Sequence, residues 1–163
     1  MRRRSLIAAA SALSMSTVFL VGTSLAADDA KTVLEGYLAA WNAHDSAKAA
    51  AFFADDVVYY DASVGTPIQG RQEAKVGVID NFLNAAPDAS WTIRGDPVVS
   101  DGKVAFEWEF SGTNTGAWGD GTPATNKPFK FAGASVMQVE NGKIKLQSDY
   151  YDALGFYKQL GLM

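Results

Sequence analysis

The sequence of 163 residues contains no cysteine and a single histidine, His44. The first absence excludes a thiol nucleophile, thiolate ligation of a metal, and disulfides as a source of stability. The second excludes multi-histidine metal sites and most histidine-based triads. His44 itself stands beside Asp45 where a helix is expected to end, and reads as exposed. Basic residues are in deficit, 14 Lys and Arg against 18 Asp and Glu. Nucleic acid and anionic membrane surfaces call for a basic face, so neither is expected as a partner. No metal or other cofactor is expected. No repeat, linker or low-complexity stretch marks a second domain, and the length suits one.

What is present begins with Met1-Arg2-Arg3-Arg4, an apolar run from Leu6 to Val21 broken by Ser11, Ser14, Ser16 and Thr17, and the small-x-small triplet Ser24-Leu25-Ala26. That order describes a secretory signal peptide. The run is short of the roughly 20 apolar residues that a membrane-spanning helix needs. Residues 1–26 are therefore expected to be removed, and residues 27–163 to form one exported domain, periplasmic or extracellular and not membrane-bound. Arg3-Arg4 also permits a twin-arginine route.

Hydrophobic periodicity orders the elements. Val33, Leu34, Tyr37, Leu38 and Trp41 recur at three- and four-residue spacing, which predicts a helix over Ala30–Asn42. A second short helix is expected over Ser46–Phe53, capped by Asp45 or Ser46. Val57-Val58-Tyr59-Tyr60 predicts a strand with Val57, Tyr59 and Asp61 on one face. Gln72–Ala85 reads as a third helix with Val76, Ile79, Phe82 and Leu83 as its apolar side. Four strands follow: Trp91–Val99, interrupted at Gly95 and Pro97; Val104–Ser111, with Val104, Phe106, Trp108 and Phe110 inward; Phe129–Val139, with Phe129, Phe131, Ser135, Met137 and Val139 sharing a face; and Ile144–Tyr151. Asp101-Gly102 and Asn141-Gly142 predict tight hairpin turns. Gly112–Pro128 reads as a long loop, and Leu154 to Leu162 as an amphipathic tail. Helices followed by a mainly antiparallel sheet give an α+β fold. Strict alternation along the last strand sets Asp149 with Lys145 and Gln147, opposite Ile144. Asp149 then points inward only if a bulge turns it or that face lines a polar pocket.

The segments Tyr37–Asp45, Phe53–Asp56 and Tyr60–Gly65 resemble the amino-terminal part of ketosteroid isomerase. Gly112–Gly116, Pro123, Lys127, Asn141–Ile144 and Ser148–Asp152 resemble the SnoaL-like polyketide cyclases. The two families share one fold, a cone-shaped curved sheet wrapped around amino-terminal helices, the cystatin-like α+β barrel. The isomerase resemblance implies Asp61 as the base that takes a proton from carbon beside a carbonyl, and Tyr37 as a donor to the resulting enolate. The third isomerase group, a protonated acid, falls near Ser135. The cyclase resemblance implies Asp149 as the acid–base residue of a cofactor-free aldol ring closure. It also places Asn114 where a histidine is usual. Both resemblances imply a small hydrophobic or polycyclic ligand, with Trp41, Tyr59, Trp108, Phe110, Phe131 and Ser135 around it, and a homodimer formed through the sheet.

Three functions follow as expectations: an isomerase or aldol cyclase acting on a hydrophobic carbonyl compound, a non-catalytic carrier of such a molecule, or a dimeric interaction module. Epoxide hydrolysis, the other activity weighed, requires an arginine flanked by two acids; Glu107 and Glu109 are read instead as the outer side of the sheet, with Arg94 on the surface.

Overall fold

The computed structural model describes residues 22–163. The expected signal sequence lies largely outside the described residues. The first helix, α1, runs from Gly22 to Asn42 and so starts before the expected Ala30. Ser24-Leu25-Ala26-Ala27 contains good helix formers and no Gly or Pro to stop the turn. Its stripe is as expected: Val33, Leu34, Tyr37, Leu38 and Trp41 are all buried.

Asp45 caps the short helix α2, Ser46–Ala50, by accepting from the Lys48 amide at 2.9 Å. This helix ends before the expected Phe53. Strand β1 covers Phe53–Asp61, because Phe53 pairs with Ile144 in the sheet instead of extending the helix. The remaining strands are β2 (Ile68–Gln69), β3 (Ser90–Ser100), β4 (Lys103–Thr113), β5 (Pro128–Glu140) and β6 (Lys143–Tyr151). They form one six-stranded curved sheet in the order β2-β1-β6-β5-β4-β3. Only the β1–β6 pairing is parallel; the others are antiparallel. The fold is the expected α+β cone.

Both expected hairpin turns form, with positive φ at Asp101 and Gly102 and at Asn141 and Gly142, as a type I′ turn demands. The irregularity expected at Gly95 and Pro97 is a shift in β3–β4 register between Arg94 and Val98. Asn42 ties the end of α1 to the sheet: its Nδ2 donates to the Trp91 carbonyl and its Oδ1 accepts from the Trp91 amide, each at 2.8 Å.

The third helix covers Arg71–Ala85, but its middle turn is not α-helical. α3 (Arg71–Ala74) passes into a π-helical turn, Lys75–Asp80, and then into α4 (Asn81–Ala85). In a π turn residues five apart lie over one another, and the Lys75–Asp80 ion pair at 2.7 Å spans that step. The wider turn changes which side chains face inward. Ala74, Val78 and Ile79 are buried, whereas Val76, expected on the apolar side, is 54% exposed. Helix α5 (Ala153–Leu160) closes the chain with Phe156 and Leu160 buried against the sheet. Leu154 and Leu162, expected on the same apolar side, are exposed.

The core lies between α1, the composite helix and the concave face of the sheet. Trp91, Trp108, Phe110, Phe129, Phe131 and Phe156 pack there, half of their ring contacts edge to face and the rest tilted or stacked. Each large apolar side chain so buried contributes roughly 1.5–3 kcal/mol.

Candidate active site

The functional side chains lie in one row across the sheet. Asp61 on β1 is in register with Asp149 on β6, Asp149 with Ser135 on β5, and Ser135 with Phe106 on β4. All four point to the concave face and are buried. The inward turn of Asp149 comes from a bulge. On β6, Ile144, Gln147 and Asp149 are buried while Leu146 is exposed, so the alternation breaks after Ile144. The β5–β6 register shifts there: Val139 pairs with Ile144, but Gln138 with Leu146. One extra residue on β6 thus carries Gln147 and Asp149 from the outer face to the inner one.

Asp149 is held by three neutral donors. The Tyr59 hydroxyl donates to its Oδ2. Ser135 Oγ donates to Oδ1 at 2.5 Å, and Gln147 Nε2 approaches Oδ1 at 3.1 Å. Ser135 is itself fixed by Trp108 Nε1, which donates to Oγ at 2.7 Å. Gly133 makes that possible: a Cβ there would stand 2.3 Å from Trp108 Cζ2, so only glycine lets the indole lie across β5. Burial pushes the Asp149 carboxyl up to about 6; the donors, Ser135 first, pull it down, and the Asp61 charge adds to the rise. Burial, and next the Asp149 charge, raise the Tyr59 and Tyr37 hydroxyls well above their ordinary value, so both stay protonated.

Asp61 has different surroundings. Its Oδ1 accepts from the Ser63 amide at 2.7 Å and from Ser63 Oγ at 2.6 Å, an arrangement local to the turn that ends β1. Its Oδ2 accepts from the Tyr151 hydroxyl at 3.1 Å. Tyr151 is raised by burial first and by the Asp61 charge second, and remains a donor.

Two connected spaces open from this row. The inner chamber has a volume of about 30 Å³ and is walled by Trp41, Tyr59, Trp91, Trp108, Phe110 and Phe131, with Asp61 and Asp149 as its acidic residues. The outer vestibule measures about 380 Å³ and includes Trp118, Asp120, Phe156 and Tyr157. Asp61, Val78, Phe82 and Tyr151 belong to both and form the passage between them. Val78 sits on the π turn and Phe82 just after it.

Of the sequence candidates, Asp61, Asp149, Trp41, Tyr59, Trp108, Phe110 and Phe131 therefore converge on the chamber. Tyr37 and Ser135 stand behind its wall. Among the described residues the Tyr37 hydroxyl, Trp41 Nε1 and Gln147 Oε1 find no hydrogen-bond partner, although all three are buried. Asn114 is not at the chamber. It is fully buried and pins the loop, donating to the Ala85 and Gly116 carbonyls at 3.1 and 2.8 Å and accepting from the Thr125 amide at 2.9 Å. His44 is exposed, with Nε2 2.8 Å from the Ala89 carbonyl. Arg94 is in register with Glu107 on the outer face, away from the chamber.

Sequence reasoning missed Gln147, Tyr151, Ser63 and Gly133. Alternation along β6 puts Gln147 on the face of Asp149, and that pairing is the available signal. Nothing local marks Gly133, whose role depends on a ring from the next strand. Among the described residues no three of His, Cys, Asp and Glu group as a metal site would, and no helix is long and apolar enough to cross a membrane.

Comparison with known proteins agrees with the fold. A model of the SnoaL-like polyketide cyclase family matches residues 31–160. No curated protein matches the sequence. A SnoaL-like protein of Jannaschia sp. CCS1 superposes with a TM-score of 0.73 at 9% identity, covering 93% of this chain and 99% of its own. IdmH of Streptomyces antibioticus gives a TM-score of 0.67 at 24% identity, covering 81% and 98%. A protein of Catenulispora acidiphila with a ketosteroid isomerase-like fold gives 0.66 at 22% identity, covering 79% and 92%. At these identities the structures speak for the fold, and the match over most of the sequence speaks for the family: the chain belongs to the SnoaL-like polyketide cyclases.

Proposed function

We propose that the protein catalyses proton transfer next to a carbonyl in a small hydrophobic molecule, as an isomerase or an aldol cyclase without a cofactor, with Asp149 as the acid–base group. The observation that carries this reading is a wholly buried carboxyl on the wall of an aromatic chamber, pushed up to about 6. A base poised near neutral pH is what such a step needs. Asp149 takes the proton from carbon, and the electron pair moves to the carbonyl oxygen. The enolate then either attacks a second carbonyl, forming a carbon–carbon bond, or is reprotonated at another carbon. In both cases Asp149 returns the proton it took. Tyr59 supplies a protonated hydroxyl at the wall. The inner chamber has room for the reacting edge and the vestibule for the body of a ring system.

The test is deuterium exchange at the α-carbon of 2-tetralone in D2O, followed by NMR. Exchange that rises with pH through about 6 and disappears in Asp149→Asn supports the reading; exchange equal to buffer alone overturns catalysis on such ketones. One observation favours the carrier reading: both Asp149 oxygens already have protein donors. A carrier would be stabilised against heat by tetralone and by tetralin alike, with no exchange.

Export and dimerisation are further parts of this proposal. Export rests on the basic start, the apolar run and Ser24-Leu25-Ala26; recovery of a secreted chain beginning at Ala27 would establish it. Dimerisation rests on an outer strip in which Val98, Ala105 and Val136 are in register, with exposed Leu146 and Tyr150 beyond. Light scattering of the purified protein would test it.

A further inference from the structure

Asp61 is only 6% exposed, and among the described residues it has no cationic partner. The ion pairs among the described residues engage Glu35, Asp55, Asp56, Asp80 and Glu109, never Asp61 or Asp120. All of the donors to Asp61 are neutral. A buried carboxylate is ordinarily matched by a counter-charge, since removing it from water is costly.

The vestibule beside Asp61 lacks that counter-charge too. None of its lining residues is basic, and its second charged group is another acid, Asp120. The Thr122 amide, donating to Asp120 Oδ1 at 2.8 Å, holds that carboxyl below its usual range, so it is ionised near neutral pH. The same walls are rich in aromatic rings: Trp118, Tyr151 and Tyr157, with Phe82 edge to face on Trp118 and stacked on Phe156. Aromatic faces attract cations most strongly when water is excluded. Two acids, an aromatic wall and no basic residue exclude an anionic ligand and leave a place for a positive charge.

We infer that the vestibule is a receptor for an ammonium group, so that the molecule whose reacting edge enters the inner chamber is a hydrophobic amine carried in its protonated or quaternary form. This inference rests on the reading of the inner chamber as the reacting site, but it concerns the substrate class and uses different residues. Asp61 balances the charge at the passage, Asp120 draws it to the mouth, and Trp118 and Tyr151 face it.

The test uses three soluble probes of nearly one shape: choline, 3,3-dimethylbutan-1-ol and 3,3-dimethylbutanoate. Their binding is titrated by NMR on the indole resonance of Trp118. Choline is expected to bind at least about tenfold more tightly than the neutral alcohol, with the carboxylate weakest; cation–π attraction in a desolvated site is on this scale. Asp61→Asn should bring choline close to the alcohol. Asp120→Asn, an exposed change that does not endanger folding, should reduce the preference in part. Equal binding of choline and the alcohol in the wild type, or tighter binding of the carboxylate, overturns the inference. Tetralone exchange separates the two claims: if it depends on Asp149 while choline shows no preference, the receptor fails and the chemistry stands.

Discussion

Asp61 and Asp149 are the same residue type, in register on adjacent strands, and both are buried, yet the chain treats them differently. Asp149 is reached by side chains from β1, β5 and its own strand, each fixed by further packing. Asp61 is served by the turn that follows it and by one tyrosine at the passage. The inner acid is therefore built by tertiary structure and the outer one largely by local chain geometry. Burial of a carboxyl among neutral donors from several strands tunes it for proton transfer, whereas the turn-bound carboxyl stands where both spaces reach it.

The sharpest contrast is in catalysis. Asp149→Asn should lower α-deuterium exchange by about 10²–10⁴-fold, the range of a general base, while Asp61→Asn should cost no more than about tenfold. Comparable losses at both positions in the exchange assay would erase the distinction. Next comes stability against pH. The folded Asp149 carboxyl titrates near 6 and an unfolded one near 3.8. Its contribution is fully present below the unfolded value and is lost as pH rises through the folded one. Over that window the loss is on the order of 3 kcal/mol. Denaturant unfolding of Asp149→Asn should therefore gain on the wild type by up to that amount between pH 3.5 and pH 7.5.

Gly133→Ala probes the support of the inner acid alone. The added methyl meets Trp108 and the Tyr150 carbonyl, and overpacking of this kind typically costs about 1–3 kcal/mol. Displacing the indole also frees Ser135, so exchange should fall in the same variant; a neutral result in both assays would show that Trp108 does not position Ser135. Tyr37→Phe should have the smallest effect. Its buried hydroxyl has no hydrogen-bond partner among the described residues, and removing it should leave stability within about 1 kcal/mol of the wild type or raise it. A loss of exchange beyond about tenfold would give the Tyr37 hydroxyl a direct role in the reaction.

Most of the frame was legible in the sequence. The stripe of α1, the alternation of β4 and the two tight turns are written in local spacing, where period and turn chemistry speak directly. The inward set Phe129, Phe131, Ser135, Met137 and Val139 was legible for the same reason. The orientation of Asp149 was open because a bulge depends on how two strands register, not on the residues near it. The π turn was hidden as well: it moves Val76 out and Val78 in, and only the partners of those side chains decide between an α and a π turn. Ser63 and Tyr151 escaped notice because each is an ordinary residue until Asp61 lies between them. The role of Asn114 was set by a loop, whose path no periodicity records.

The most direct measurement is titration of the Asp149 carboxyl carbon by NMR, assigned by its absence from Asp149→Asn. A midpoint near 6 is expected, moving upward in Ser135→Ala because that hydroxyl is the leading donor to the charged form. A midpoint near 3.8, unchanged in Ser135→Ala, would mean that Asp149 is an ordinary solvated acid and would contradict its assignment as the base.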